Sequence, residues 1–328
     1  MRRGCDLIEA MMHSAAKRDT RAHTRAVTAL LALSLIWALG SLRADVLPDR
    51  WQDTLSATLS GQALRLAVLA IAAALVARVT RSRRLPWPSA MRAALVGLGL
   101  FALPALVVHL AAPYSTALTR AALFALTPVF AVVLEPYLGP ANAAQSRTAL
   151  GAALAAFTGM LLFIPVELPN SPQSFVALGA VVLAALFVAA VNCRAVRFAC
   201  ADDAPPPAAV AAIAAAAAAF ALSLVGTTAE HLDWTATALV PGLVWTTLVE
   251  LPALLLLFGL MRRMTAARMT LRFILAPLFA GVLGLVLFRP PVSARALAGL
   301  ALMAGGAGWL LLTRDASPDA DDSMLHLR

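Results

Sequence analysis

Long apolar runs recur from one end of this sequence to the other, and only short polar segments separate them. A helix that crosses a bilayer needs about 20 predominantly apolar residues. The sequence predicts ten such helices, over 26–43, 61–79, 93–111, 118–138, 148–165, 174–193, 207–226, 237–260, 270–288 and 295–313. Ten spans would use roughly 200 residues, which leaves a chain of 328 no room for a large extramembrane catalytic domain. We therefore expect an all-α integral membrane protein.

Composition and the absence of familiar motifs exclude several classes of protein. Hydrophobic residues make up 61% of the chain and charged residues 13%. The net charge of +9 lies in short clusters between apolar runs, which orient membrane helices, so we expect no nucleic-acid partner. Three scattered cysteines and five dispersed histidines predict no metal and no cofactor. No Walker, GxGxxG, HExxH or Gly-x-Ser-x-Gly sequence occurs, which argues against an ATPase or a familiar hydrolase.

Basic residues fall unevenly on alternate loops. Twenty of the 26 Lys and Arg residues lie on one side of the predicted spans, and these twenty include Arg268 and Arg272 around the start of the ninth. Because basic residues accumulate in cytoplasmic loops, the bias predicts that both termini are cytoplasmic. We expect a loose N-terminal tail over 1–25, a short acidic C-terminal tail over 314–328, and a place in the bacterial cytoplasmic (inner) membrane.

Two halves of the sequence resemble each other. Leu103-Pro104-Ala105-Leu106 recurs as Leu251-Pro252-Ala253-Leu254, 148 positions later. Two further matches follow at offsets of 149 and 148, between 128–134 and 277–283 and between 151–154 and 299–302. The matches predict a duplication, with repeats over 26–165 and 174–313. Each repeat holds five spans, and an odd number inverts the second repeat, an arrangement that supports alternating access in many secondary transporters.

Several segments then resemble one family, the EamA-like transporters of the drug/metabolite transporter superfamily. The resemblance covers roughly 26–313 and rests on pattern more than on invariant residues. It lies in 112–130 with a second copy at 268–279, in Trp37 with Gly40, in Arg65, and in the glycine-led stretches 151–162 and 299–312.

This resemblance implies a ten-helix carrier, often an exporter of amino acids, related metabolites or drugs, driven by gradients of ions or substrate and not by ATP. The sequence departs from the family after the fourth and ninth helices, where the family often has Leu-Gly-Glu. This chain has Leu138-Gly139-Pro140 and Phe288-Arg289-Pro290 at those places.

Glu250 is the most informative polar residue in the predicted spans. It lies twelve residues before Arg262, or about 18 Å along a helix, which places it near the midplane. Charged groups are costly there, so such a residue is a functional candidate. Glu250 could bind a proton or a substrate amine, or it could pair with Arg65 or Arg120 and only hold helices together.

Other candidates for substrate or proton binding carry an equally plausible structural interpretation. Arg65 and Arg120 can snorkel to the membrane edge, His109 can anchor an interface, and the three aromatic candidates can form an aromatic belt. Asn192 can serve as interhelical glue, and Glu135 as a solvated cap. The predicted substrate- or proton-binding set is Glu250, Arg65, Trp37, Trp245, Tyr114, Arg120 and His109.

Four prolines are hinge or gate candidates because proline frees a backbone carbonyl and permits bending. Simple packing kinks would explain them equally well. They are Pro104, Pro128, Pro252 and Pro277. The alanine-rich run 208–221 predicts a smooth helix surface for close packing.

The leading hypothesis is a secondary-active exporter of a small molecule, working by alternating access and possessing no enzymatic activity. Two alternatives stay open. One is a membrane enzyme acting on lipid-linked substrates, and the other is a non-transporting membrane partner protein. The sequence leaves the substrate, the coupling ion and the oligomeric state undetermined.

Overall fold

The computed structural model describes residues 2–46, 58–83, 85–140, 147–201, 203–226, 236–289 and 291–313. Within these ranges the protein is all-helical and has no strand. Nine described helices are long and apolar enough to cross a membrane, and one more apolar helix, Arg147–Phe163, is 17 residues long. The all-α membrane class predicted from the sequence is therefore confirmed. The predicted C-terminal tail, 314–328, lies outside the described residues.

Ten helical segments follow one another along the chain, and two of them contain a short π-helical turn. Their bounds are α1 Arg2–Val46, α2 Leu59–Val79, α3 Trp87–Tyr114, α4 Ala117–Leu138, α5 Arg147–Phe163, α6 Pro172–Ala199, α7 Pro207–Gly226, α8 Ala236–Leu260, α9 Ala266–Phe288 and α10 Ala294–Leu312. Each predicted span has its helix at the same place, and α3, α6 and α9 begin or end several residues beyond the prediction.

The N-terminal segment differs from the loose tail expected over 1–25. One helix runs from Arg2 to Val46, and its apolar part is Thr20–Leu42. No proline interrupts these residues, and they are rich in alanine, leucine and arginine, which favour helix. The Nε2 of His23 lies 3.1 Å from the backbone oxygen of Leu311, so the start of the apolar part of α1 contacts the end of α10.

Equivalent π-helical turns occur in α3 and α8. The first covers Leu98–Ala102 and the second Thr246–Glu250, and each comes directly before a Leu-Pro pair. The N–H of Leu103 bonds to the oxygen of Leu98, and the N–H of Leu251 bonds to that of Thr246, both five residues back. A proline in the next position removes an N–H from the helical ladder, which favours such local rearrangement.

The starts of α4 and α9 are also equivalent. Thr116 and Thr265, 149 positions apart, are the N-cap residues, and each side chain accepts a hydrogen bond from the backbone N–H three residues on. A threonine hydroxyl at this position satisfies one of the unpaired N–H groups at a helix start. In both helices a turn interrupts the regular helix within ten residues, at Ala125 and at Leu271.

Helix contacts recur in the same pattern between the two halves. Helix α2 packs along α7, and α5 packs along α10. Helix α1 contacts α9 as α6 contacts α4, and α1 contacts α8 as α6 contacts α3. The core therefore lies between the halves and not inside either one of them.

Small residues allow the closest of these contacts. A Cβ added to Gly159 of α5 would lie 2.7 Å from the backbone oxygen of Gly299, and one added to Gly299 would lie 2.7 Å from the oxygen of Gly159. A Cβ on Gly97 of α3 would lie 2.0 Å from the oxygen of Ala214 in α7. The alanine-rich face of α7 is buried in these contacts, which agrees with its predicted packing role.

Three charged residues are placed differently from their predicted loop or surface positions. Arg268 and Arg272, counted among cytoplasmic loop residues, lie inside α9 and are 8% and 2% exposed. Glu135 is buried and not solvated, because its carboxylate accepts the N–H groups of Ala266 and Ala267 at the start of α9. A carboxylate is favourable there because helix N-termini carry partial positive charge.

Candidate functional site

A cavity of about 440 Å³ lies between helices of both halves. This volume falls in the range of small-molecule binding sites. The cavity is walled by α1, α2 and α3 from the first half and by α8 and α9 from the second. Its polar and aromatic lining residues are Trp37, Ser41, Gln62, Arg65, Phe101, Trp245, Glu250, Arg272 and Phe273.

An ion pair crosses this cavity between the halves. The Nε of Arg65 on α2 lies 2.7 Å from Oε2 of Glu250 on α8, and the two side chains are 29% and 17% exposed. Glu250 is ten residues from the end of α8 at Leu260, or about 15 Å along the axis, near half of the bilayer hydrocarbon thickness of about 30 Å. The pairing between Glu250 and Arg65 considered from the sequence is therefore present, and it borders open volume.

The π-helical turns position the lining residues. Glu250 is the last residue of the turn in α8, and Phe101 belongs to the equivalent turn in α3. A π-helical turn adds one residue to a helix and so changes which side chains face a given neighbour. Proline at 104 and 252 therefore acts on the cavity through the turn that precedes it.

Arg272 forms part of the cavity wall beside this pair. One of its terminal nitrogens donates to the backbone oxygen of Met269 at 3.0 Å, and the other donates to Oδ1 of Asn192 at 3.1 Å. Its guanidinium carbon lies 5.5 Å from the ring centre of Trp37 and 4.9 Å from that of Phe273. Cation–π contacts of this length stabilise a desolvated guanidinium.

Asn192 of α6 accepts a hydrogen bond from Arg272 and so fixes its position from a second helix. Its side chain is fully buried, and its amide nitrogen donates to the oxygen of Val188 at 2.7 Å. The amide oxygen is then free to accept from Arg272, so the orientation of the amide is fixed by its own helix. Asn192 thus joins α6 to α9, as the interhelical interpretation predicts.

The predicted site residues divide into two groups. Trp37, Arg65, Trp245 and Glu250 meet at the cavity. The remaining three do not line it. Tyr114 is half-exposed in a short turn at the end of α3, Arg120 donates to the backbone oxygen of Ser115 near the start of α4, and His109 is partly buried on α3.

The four proline candidates occupy two different kinds of position in their helices. Pro104 and Pro252 follow the π-helical turns. Pro128 lies in the first turn of a helical stretch that begins at Thr127, and Pro277 lies inside the longer stretch Arg272–Phe288. Proline in a first turn is accommodated without loss of a hydrogen bond, so Pro128 has a purely local explanation.

The sequence interpretation missed Arg272 and Phe273, and it also missed the lining residues Ser41, Gln62 and Phe101. Arg272 was counted with the cytoplasmic side because it lies near other arginines and only two residues inside the predicted start of the ninth span at residue 270. The similarity between 112–130 and 268–279 contains a signal that places Arg272 more than one turn inside its helix. Thr116 starts α4 directly before Ala117, and the equivalent Thr265 starts α9 before Ala266, six residues ahead of Arg272.

Comparison with known proteins establishes the fold alone. No family model matches the sequence, and no curated protein matches it. In three dimensions the chain is similar to a solved protein crystal structure with a TM-score of 0.69, over 88% of this chain and 98% of that chain. The sequence identity is 17%. Most of this helical arrangement therefore recurs in a protein of different sequence.

Proposed function

We propose that this protein is a secondary-active transporter of the drug/metabolite transporter superfamily, with an EamA-like fold of two inverted five-helix repeats. It exports a small molecule, from the class of amino acids, related metabolites or drugs, by alternating access. The observation that carries the proposal is the Arg65–Glu250 ion pair, which joins the two halves across a cavity of about 440 Å³. The substrate and the lipid bilayer are its proposed partners.

Equivalent structural features support the inverted repeats. The π-helical turns lie 148 positions apart, and the threonine caps of α4 and α9 lie 149 apart. The contacts α1–α9 and α6–α4 correspond under exchange of the halves, and α2–α7 and α5–α10 are contacts between equivalent helices. Such self-pairing is expected where a two-fold axis relates the halves. Two near-equivalent arrangements then alternate access to a central site.

In this proposal Glu250 is the coupling residue. An opposite charge such as Arg65 stabilises its carboxylate, and a proton or a substrate amine competes with Arg65 for the same oxygens. When the competitor binds, the two halves lose an ionic contact, so binding is linked to their relative position. Trp37 and Trp245 add aromatic rings to the wall of the cavity that contains the pair.

The experiment is gradient-driven flux of a pooled metabolite panel in proteoliposomes, with and without an imposed pH gradient. Wild type is compared with Glu250→Gln and with Glu167→Gln, a matched change at an exposed glutamate outside the cavity. We expect flux in wild type and in the control, and loss in Glu250→Gln of at least about tenfold, equal to about 1.4 kcal/mol.

Two results would contradict the proposal at different levels. Unchanged flux in Glu250→Gln would limit Glu250 to a structural role. No flux of any compound in wild type would instead favour the membrane enzyme or the non-transporting partner. Binding of the panel to purified wild type, measured in parallel, separates lost coupling from lost substrate binding.

A further inference from the structure

Arg272 carries a positive charge at the wall of the cavity, and its side chain is 2% exposed. A buried cation is costly unless another charge neutralises it. We propose that Arg272 binds an anionic group of the transported substrate, a carboxylate or a phosphate monoester. This inference rests on the proposed transport function, because it names the substrate class of the same cavity.

The charges that line the cavity do not cancel. Arg65 and Glu250 neutralise each other at 2.7 Å. Among the described residues no carboxylate pairs with Arg272, whose hydrogen-bond acceptors are the neutral oxygens of Met269 and Asn192. Two arginines and one glutamate leave the lining with one net positive charge. A ligand with one negative charge would neutralise the charge of the cavity wall.

Arg272 also retains hydrogen-bonding capacity. A guanidinium has five N–H donors in a fixed planar arrangement, and two of them serve Met269 and Asn192. Its Nε has no hydrogen-bond partner in the described part of the chain. Planar donors of this kind match the oxygens of carboxylate and phosphate groups. The existing bonds and the Trp37 ring hold the guanidinium in place, so little entropy is lost on binding.

A purely structural role does not account for this charge. The equivalent position in α4, 149 residues earlier, is Leu123, so the helix forms without an arginine there. Arg268, one turn before Arg272, gives the contrast. Its guanidinium donates to the carbonyl oxygens of Leu310 and Thr313 at the end of α10, where the helix dipole supplies negative partial charge. The oxygens that accept hydrogen bonds from Arg272 belong instead to Met269 of its own helix and to the side chain of Asn192.

The rest of the cavity indicates the shape of the ligand. Apolar side chains from α2 and α8 line the same cavity as Arg272, among them Leu66, Leu69 and Leu254. A ligand with a small anionic head and an apolar body fits this distribution. A cationic or fully apolar compound would leave the charge of Arg272 unneutralised.

The experiment compares ligands that differ in charge and little else. Benzoate and benzamide form one pair, and phenyl phosphate tests the second anion. Each is titrated by calorimetry into detergent-purified wild type, Arg272→Gln, Arg272→Lys and the control Arg268→Gln, which removes a buried guanidinium of the same helix outside the cavity. In wild type we expect benzoate or phenyl phosphate to bind at least about tenfold more tightly than benzamide.

We expect this preference to fall below about twofold in Arg272→Gln and to persist in Arg272→Lys and Arg268→Gln. Equal binding of benzoate, phenyl phosphate and benzamide to wild type would overturn the inference, as would no binding of either anion at about 10 mM. A preference that survives Arg272→Gln would also overturn it. If Arg272→Gln does not fold, the inference is tested by the anion preference of the wild type and by whether that preference persists in Arg272→Lys and Arg268→Gln.

These titrations need no membrane gradient, so their result tests anion binding by Arg272 independently of the transport proposal. Anion binding without flux in proteoliposomes would retain the inference and contradict transport. Flux of neutral compounds without any anion preference would retain transport and contradict the inference.

Discussion

The segments 98–106 and 246–254 have the same backbone and different chemistry. Both make a π-helical turn and continue as Leu-Pro-Ala-Leu. In the first segment the turn ends in Ala102, which is buried in a small apolar cluster. In the second it ends in Glu250, which faces the cavity and Arg65. The repeated proline pattern thus determines the backbone of both helices, and the side chain at the end of each turn determines whether a charge lies there.

The residues before the two turns show the same division. Gly97 and Trp245 are equivalent, 148 positions apart. Gly97 allows α3 to contact the backbone of α7, and Trp245 lines the cavity. At this pair of positions the first copy therefore serves packing and the second copy serves the site. Three pairs of substitutions at matched positions and one double-mutant cycle test this division.

The largest difference is expected at Gly97 and Trp245. In Gly97→Ala the new Cβ would lie 2.0 Å from the oxygen of Ala214, so α3 and α7 must separate and we expect a loss above about 3 kcal/mol. Trp245→Ala should remain folded and lose ligand binding. Size-exclusion profiles and thermal unfolding in detergent measure both. A stable Gly97→Ala protein would show that the α3–α7 contact can open freely.

A second pair of changes tests the turns themselves. Pro252→Ala restores an N–H and allows the π-helical turn to become regular helix, which would rotate Glu250 by about 100° relative to the following residues. We expect flux to fall about tenfold in Pro252→Ala, and by less than about threefold in Pro104→Ala. Equal losses in proteoliposome assays would mean that the turns act as symmetric hinges and not through Glu250.

The effects of changing Arg65 and Glu250 on stability should not be additive, because the two side chains form an ion pair. In a double-mutant cycle of Arg65→Gln and Glu250→Gln, we expect an interaction free energy of about 2 kcal/mol in denaturant-induced unfolding. The same cycle with Arg65→Gln and Glu167→Gln supplies the baseline and should give a value near zero. If the two cycles agree, the charges do not stabilise the contact between the halves.

The smallest effect is expected at Phe101 and Val249, which are equivalent apolar residues. The rings of Phe101 and Phe258 meet edge to face with centroids 6.4 Å apart, so Phe101→Val should cost about 1 kcal/mol of stability. Val249→Phe should leave stability nearly unchanged and exclude larger ligands from the cavity. Melting temperatures and titrations with ligands of graded size distinguish the two outcomes.

The helices could be predicted from the sequence because their apolar runs and proline punctuation are local signals. Helix α7 begins at Pro207 and ends at Gly226, as the run of alanine and apolar residues indicates. The start of α1 could not be predicted, since a polar helix lacks such a run. The pairing of Glu250 with one particular arginine also depends on how distant helices pack, which no local pattern specifies.

Arg272 illustrates a limit of counting charges. An arginine near the end of an apolar run is typical of a cytoplasmic loop, and three other arginines, Arg262, Arg263 and Arg268, lie within ten residues of it and reinforce that interpretation. Its burial depends on Asn192 and Trp37, which are 80 and 235 positions away in the sequence. The equivalence of Thr116 and Thr265 was the local clue that α9 begins earlier, at Ala266.

The contact of Arg268 with the end of α10 bears on how the chain is inserted during synthesis. Helix α9 enters the membrane with two buried arginines in its first two turns, and charged side chains in an inserting helix are costly until they find partners. Asn192 of α6 is already present to receive Arg272, but Leu310 and Thr313 are translated only after α9 is complete. We therefore expect α9 to remain at the insertion machinery until α10 follows, so that the last two helices enter the bilayer as a hairpin.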